Sequence, residues 1–155
     1  MKETGDHGTI NSWGRDRFWH PNYNIMTQIT NEKPALILAD VVEPIIIRHN
    51  RLRCDRGWDI DLDDGSSNYQ IYNNLCLNGG IKLREGFYRT VENNIIVNNT
   101  LHPHLWFKNS GDVFSRNIVM TKYKPISVRG WGREVDYNIF ADSLAYLCLL
   151  YTSPS

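Results

Sequence analysis

The stretch Trp58–Asn68, WDIDLDDGSSN, holds aspartates at Asp59, Asp61, Asp63 and Asp64, and Glu85 follows in the similar stretch GGIKLREGF. Carboxylates at that density bind a hard cation, pair with lysine and arginine on a surface, or exchange protons in acid/base catalysis. An EF-hand loop counted from Asp59 needs Gly at position six and Glu at position twelve. Those positions hold Asp64 and Gln70, so that loop is excluded. The alternation of aspartate with Ile60 and Leu62 suits a strand with one buried face. No cofactor is required, and calcium at another coordination geometry stays open.

What these acids can do depends on their neighbours, and an internal repeat supplies the neighbours. The segments IIRHNRL, IYNNLCL, VENNIIV, FSRNIVM and VDYNIFA align on Asn50, Asn74, Asn94, Asn117 and Asn138, at spacings of 24, 20, 23 and 21 residues. Three residues before each anchor stand Ile47, Ile71, Val91, Phe114 and Val135; two after stand Leu52, Cys76, Ile96, Val119 and Phe140. The period is too short for a helix pair, and its units are rich in β-branched residues, Asn and Gly. Short strands stacked turn upon turn bury such columns, which predicts an all-β chain: a right-handed parallel β-helix, or solenoid, of about five rungs. The asparagines have a structural role. Each tolerates left-handed backbone angles at a corner, and its amide both donates and accepts along the stack.

A second strand follows each anchor, in WDIDLDDG, GGIKLREG, PHLWFKNSG and KPISVRGWG. Its alternation points Ile60, Ile81, Leu105 and Ile126 inward in one column and Leu62, Leu83, Phe107 and Val128 in another. Asp61, Lys82, Trp106 and Ser127 then point outward, followed by Asp63, Arg84, Lys108 and Arg129. Asp64, Glu85, Asn109 and Gly130 align at the strand end. A charged ladder accounts for Asp61 beside Lys82 and Asp63 beside Arg84, at roughly 0.2–1 kcal/mol per pair. It leaves Asp64 and Glu85 stacked about 5 Å apart on adjacent rungs, where repulsion raises one pKa above the other. Retaining glycosidases separate their two carboxyls by about 5–5.5 Å. One residue of slack in the alignment makes Asp63 the competitor of Asp64. Trp106, His102 and His104, with Trp13, Arg15, Asp16 and Trp19 from INSWGRDRFWH, supply the flat and polar faces that sugar binding uses.

The chain carries 17 Lys and Arg against 17 Asp and Glu, for zero formal charge, which argues against a general nucleic-acid binder. No apolar run reaches membrane-spanning length. The start MKETGDHG has no apolar core of a secretory signal, and the compartment is left open. Cys54, Cys76 and Cys148 share no CxxC spacing and read as free thiols. Residues 1–142 read as one β-helix fragment, with irregular rungs and loops over 1–45 and regular rungs over 46–142. SLAYLCLLYTSPS, 143–155, breaks the repeat and reads as a non-native tail. No end cap is evident, so the chain is expected to be an internal piece of a longer protein.

GWDIDLDDGSSNYQIYNNLCLNGGIKLREGF, with VENNIIVNNTLHPHLWFKNSGDVF after it and GTINSWGRDRFW before it, resembles the parallel β-helix glycoside hydrolases of family 120, whose known members are β-xylosidases. The resemblance covers about 140 residues. It implies a retaining enzyme on β-linked pentosides such as xylo-oligosaccharides, with an Asp of DLDDG as nucleophile and Glu85 as acid/base. Lys82 and Arg84 would keep the nucleophile ionised. The expected partner is an oligosaccharide or polysaccharide, with no nucleic acid and no membrane, and the isolated fragment is expected to be inactive. Two alternatives share the scaffold: a polysaccharide lyase with a Lys or Arg base and aspartate-held calcium, and a non-catalytic carbohydrate-binding module.

Overall fold

The computed structural model of the chain describes residues 7–142. Its elements begin with β1 (Ile10–Trp13), α1 (Tyr23–Glu32), β2 (Ile45–Arg48), β3 (Arg51–Leu52), β4 (Ile60–Asp63), β5 (Tyr69–Tyr72) and β6 (Leu75–Cys76). They continue with β7 (Ile81–Arg84), β8 (Thr90–Glu92), β9 (Ile95–Ile96), β10 (Leu101–His104), β11 (Val113–Ser115), β12 (Ile118–Val119), β13 (Glu134–Asp136) and β14 (Ile139–Phe140). The strands form three parallel sheets, ordered β1-β4-β7-β10, β2-β5-β8-β11-β13 and β3-β6-β9-β12-β14. Strands of one sheet recur once per turn, so the chain winds as a parallel β-solenoid of about five turns, as the repeat predicts.

The anchor columns are the core. Ile47, Ile71, Val91, Phe114 and Val135 are in register through the second sheet, and Leu52, Cys76, Ile96, Val119 and Phe140 through the third. Ile60, Ile81 and Leu101 close the third side. Full burial of one such aliphatic side chain contributes about 1.5–3 kcal/mol. Cys54 and Cys76 are free and buried, while Cys148 and the tail reading of 143–155 lie outside the described residues.

The asparagine stack follows one rule. The backbone N and Nδ2 of Asn50 donate to Oδ1 of Asn74, at 3.1 and 3.0 Å, and Asn74, Asn94 and Asn117 donate in the same way to the next anchor. The left-handed backbone expected at the anchors lies instead one residue earlier, at His49, Asn73, Asn93, Arg116 and Tyr137, with φ between 53° and 58°. Because the amide stack fixes the corner, the preceding residue can be His, Arg or Tyr despite the strain.

Between β1 and β2 the repeat gives way to α1, which the sequence pattern does not foreshadow. Asn22 caps it, its Oδ1 accepting from the N–H of Asn24 at 2.9 Å. Lys33, restricted by the following Pro34, ends it. Met26 on its inner face packs with Phe18, Ile37, Phe87 and Phe107 in a second apolar cluster. This clamps the helix over one end of the β1-β4-β7-β10 sheet.

Candidate functional site

That sheet carries the acids on its outer face. Asn11, Asp61, Lys82 and His102 stand side by side across four strands, with Trp13 beside Asp63 and His104 beside Arg84 in the next row. At the strand ends Asp64, Glu85, Leu105 and Ser127 all take positive φ, at 42°, 26°, 52° and 51°. Backbone bonds carry the ladder through this corner, from Glu85 N to His104 O at 3.0 Å and from Leu105 N to Ile126 O at 2.8 Å. A left-handed corner turns the Asp64 and Glu85 side chains away from the strand alternation.

The third and fourth turns differ from the expected alignment. Leu101, His102, Pro103, His104 and Leu105 occupy the places predicted for Leu105 to Asn109, a slip of four residues. Trp106 is therefore not an outward sugar platform: it is 0% exposed in the main core, with its Nε1 donating to Leu83 O at 2.8 Å. Phe107 joins the cluster under α1. Ile126, expected inward, bridges to His104 and is 54% exposed.

Oppositely charged groups interleave across the face. Lys82 Nζ lies 2.9 Å from Asp61 Oδ1 and 3.0 Å from Asp63 Oδ2, with the Trp58 ring centroid 4.2 Å away. Arg84 Nη1 lies 3.3 Å from Asp63 Oδ1 and 3.9 Å from Asp64 Oδ1, and its Nε lies 3.2 Å from Glu85 Oε1. One guanidinium thus spans the two strand-end carboxyls, which bounds their nearest oxygens at about 9.5 Å, the upper end for inverting glycosidases and wider than the roughly 5–5.5 Å of retaining ones. Lys82 is 4% exposed, so this is no ordinary surface ladder. Asp59 stands apart, its carboxylate accepting the backbone N–H groups of Cys54, Asn78, Gly79 and Gly80.

The segment after β1 covers the corner. Arg15 Nε donates to Asp64 Oδ2 at 2.7 Å, and its guanidinium lies 4.9 Å from the Trp13 ring and 5.0 Å from the Trp19 ring. Trp19 Nε1 donates to Glu85 Oε1 at 3.3 Å. Gly65, at φ 86°, makes room: a Cβ there would meet Trp19 Cδ1 at 2.7 Å. Asp16 sits outside this network, its pKa raised by burial and then by the charge of Asp40.

Burial raises the pKa of Glu85; Arg84 and the Trp19 hydrogen bond pull it back, and Asp64 and Asp63 push it up again. His102 and His104 are both lowered to about 4, chiefly by burial, with Lys82 adding to each. His102 Nε2 is 2.7 Å from Asn99 Oδ1, and both imidazoles meet the Trp58 ring edge-on. Among the described residues no group of three or more His, Cys, Asp or Glu is arranged to hold a metal ion.

Two residues at this face were not singled out by sequence. Trp58 directly precedes the aspartates, and its place two residues before β4 was the available signal. Tyr23 sits on the unforeseen helix and feels the charge of Glu85. It also lines a cavity of 350 Å³. None of the acids lines that cavity. No protein-family model, curated protein or solved structure matches the chain.

Proposed function

We propose that the protein is a glycoside hydrolase acting on β-linked pentosides such as xylo-oligosaccharides, with Glu85 as the general acid/base and Asp64 as the nucleophile. The observation that carries this reading is the asymmetry of the two strand-end carboxyls. Both are buried and both meet Arg84, but only Asp64 has a second guanidinium, Arg15 at 2.7 Å, while Glu85 has the neutral Trp19 N–H and a pKa raised chiefly by burial. A buried carboxyl with a raised pKa suits the acid of such a pair. Glu85 would protonate the leaving oxygen, Asp64 would attack the anomeric carbon, and Glu85 would then take a proton from the incoming water. Asp63 suits attack less well: Lys82 holds its Oδ2 at 3.0 Å, and its Oδ1 has Arg84 at 3.3 Å and the Asp64 N–H at 3.0 Å, whereas Asp64 Oδ1 has Arg84 only at 3.9 Å. The motif resemblance to family 120 supports the same assignment of an Asp and a Glu.

A lyase needs a base free to take a proton. Lys82 and Arg84 each hold two or more carboxylates, so hydrolysis fits the geometry better. The test is the substrate dependence of Glu85→Gln in the protein that carries this chain. Hydrolysis of xylosides with poor leaving groups should fall by about 10²-fold or more, the usual worth of a general acid. Activated aryl xylosides, which need no protonation to depart, should be spared in the first step, and azide should restore their turnover. Asp64→Asn should abolish both. Substrate binding without turnover by the unaltered protein would overturn the reading in favour of a binding module.

A further inference from the structure

The cavity beside Tyr23 has a composition that the hydrolytic chemistry does not use. Tyr23, Thr27 and Asn31, four residues apart on α1, form one wall; Phe107 and Lys108 form the other, and Arg129 comes from the next turn. The Tyr23 and Phe107 rings stack at 4.6 Å, and Phe107, 1% exposed with Phe87 stacked on it at 4.8 Å, fixes the Tyr23 ring at the cavity wall. The Arg129 guanidinium lies 4.1 Å from the Tyr23 ring, and its Nη1 reaches Asn24 Oδ1 at 3.4 Å. Asn109 Nδ2 donates to Asn31 Oδ1 at 3.4 Å and joins the two walls.

Charge is what distinguishes this cavity from the acid face. Lys108 and Arg129 are exposed cations at its rim, and among the described residues neither forms an ion pair. No carboxylate lines the space. An Arg and a Lys around a mixed amide and aromatic wall suit a planar carboxylate, which a guanidinium binds through two parallel N–H donors. The Tyr23 ring edge and the methylene stems of Lys108 and Arg129 suit the C–H groups of a sugar ring, and 350 Å³ falls in the range of small-ligand sites of about 300–1,000 Å³.

We propose that this cavity binds a carboxylate-bearing sugar, a uronic acid residue, as an acidic substituent or neighbouring unit of the substrate. The inference takes from the hydrolase reading only that the ligand is a sugar. Tyr23 connects the two places: its hydroxyl donates to Trp106 O at 3.0 Å, and its pKa, raised mainly by burial, responds to both Arg129 and Glu85. The acidic ring would sit beside the bond to be broken and would be read by charge.

Binding, read by calorimetry on the protein that carries this chain, tests this without relying on turnover. D-glucuronate should bind at least about tenfold more tightly than D-glucose, the effect of one good charge-assisted contact. Arg129→Gln with Lys108→Gln should reduce glucuronate to the affinity of glucose, with the circular dichroism unchanged. Both cations are exposed, so the double variant is expected to fold. Inorganic phosphate serves as the control for a plain anion site. Equal affinity for glucuronate and glucose, glucuronate binding that survives the double variant, or phosphate binding as tightly as glucuronate would each overturn the proposal. Glu85→Gln should leave glucuronate binding intact. Loss of hydrolysis and loss of uronate binding are therefore separate results, and each refutes only its own reading.

Discussion

Glu85 is held at a left-handed corner, 4% exposed, with its acid form favoured by burial. A carboxyl whose folded pKa exceeds its unfolded value binds more protons in the folded chain, so its contribution falls as pH rises above the unfolded value of about 4.3. Glu85→Gln is therefore expected to raise stability at pH 7 and to lose that advantage below about pH 4, as read by urea midpoints at the two pH values. Lys82 behaves in the opposite sense. Its replacement by Met removes the ammonium 2.9 Å from Asp61, which is 1% exposed, and breaking a buried pair in this way costs about 3–5 kcal/mol. An unchanged urea midpoint would show that the buried lysine contributes nothing. The acids and bases of this face were legible in the sequence because charges between apolar strand positions must face outward. The roles of Arg15 and Trp19 were legible only as types: the contact each makes depends on Gly65 letting the segment close over the corner.

Among the elements, β10 shows where reading by pattern stops. LHPHLWF offers apolar residues at 101, 103, 105 and 107, so alternation alone permits two registers four residues apart. The strand ends at Leu105, at φ 52°, with no glycine to announce the turn. Trp106 and Phe107 consequently enter two apolar clusters rather than solvent. The helix α1 escaped for a related reason, since its stability comes from an Asn cap and from packing against Phe87 and Phe107 rather than from propensity. The anchor columns were legible in full because five turns repeat the same requirement. Their stack makes a graded prediction. Asn94→Ala removes the acceptor for the N–H and Nδ2 of Asn74 and the donor to Ile71 O, all buried, and the donor to the half-buried Glu92 O. Each buried group left unsatisfied costs about 1–3 kcal/mol, so the loss should exceed about 3 kcal/mol. Asn50→Ala, at the end of the stack, should cost less than half as much by the same denaturation measurement.

At the scale of the whole molecule, His102 and His104 couple stability to pH. Both have folded pKa values of about 4 against an ordinary 6.5, so between those values the unfolded chain binds more protons and stability falls as the solution is acidified. The double variant His102→Gln, His104→Gln should lose less stability than the unaltered chain between pH 7.5 and pH 5. Equal losses would place the acid sensitivity elsewhere. The asparagine stack has a consequence of another kind, because Asn50, Asn74, Asn94 and Asn117 each donate an amide N–H to the Oδ1 of the next anchor, always in the same direction. The column has a polarity, like a row of arrows. Two copies meeting end to end can continue the row only head to tail; a two-fold joint would set carbonyl against carbonyl or amide against amide. End-on association, where it occurs, would extend as a filament instead of closing as a symmetric pair.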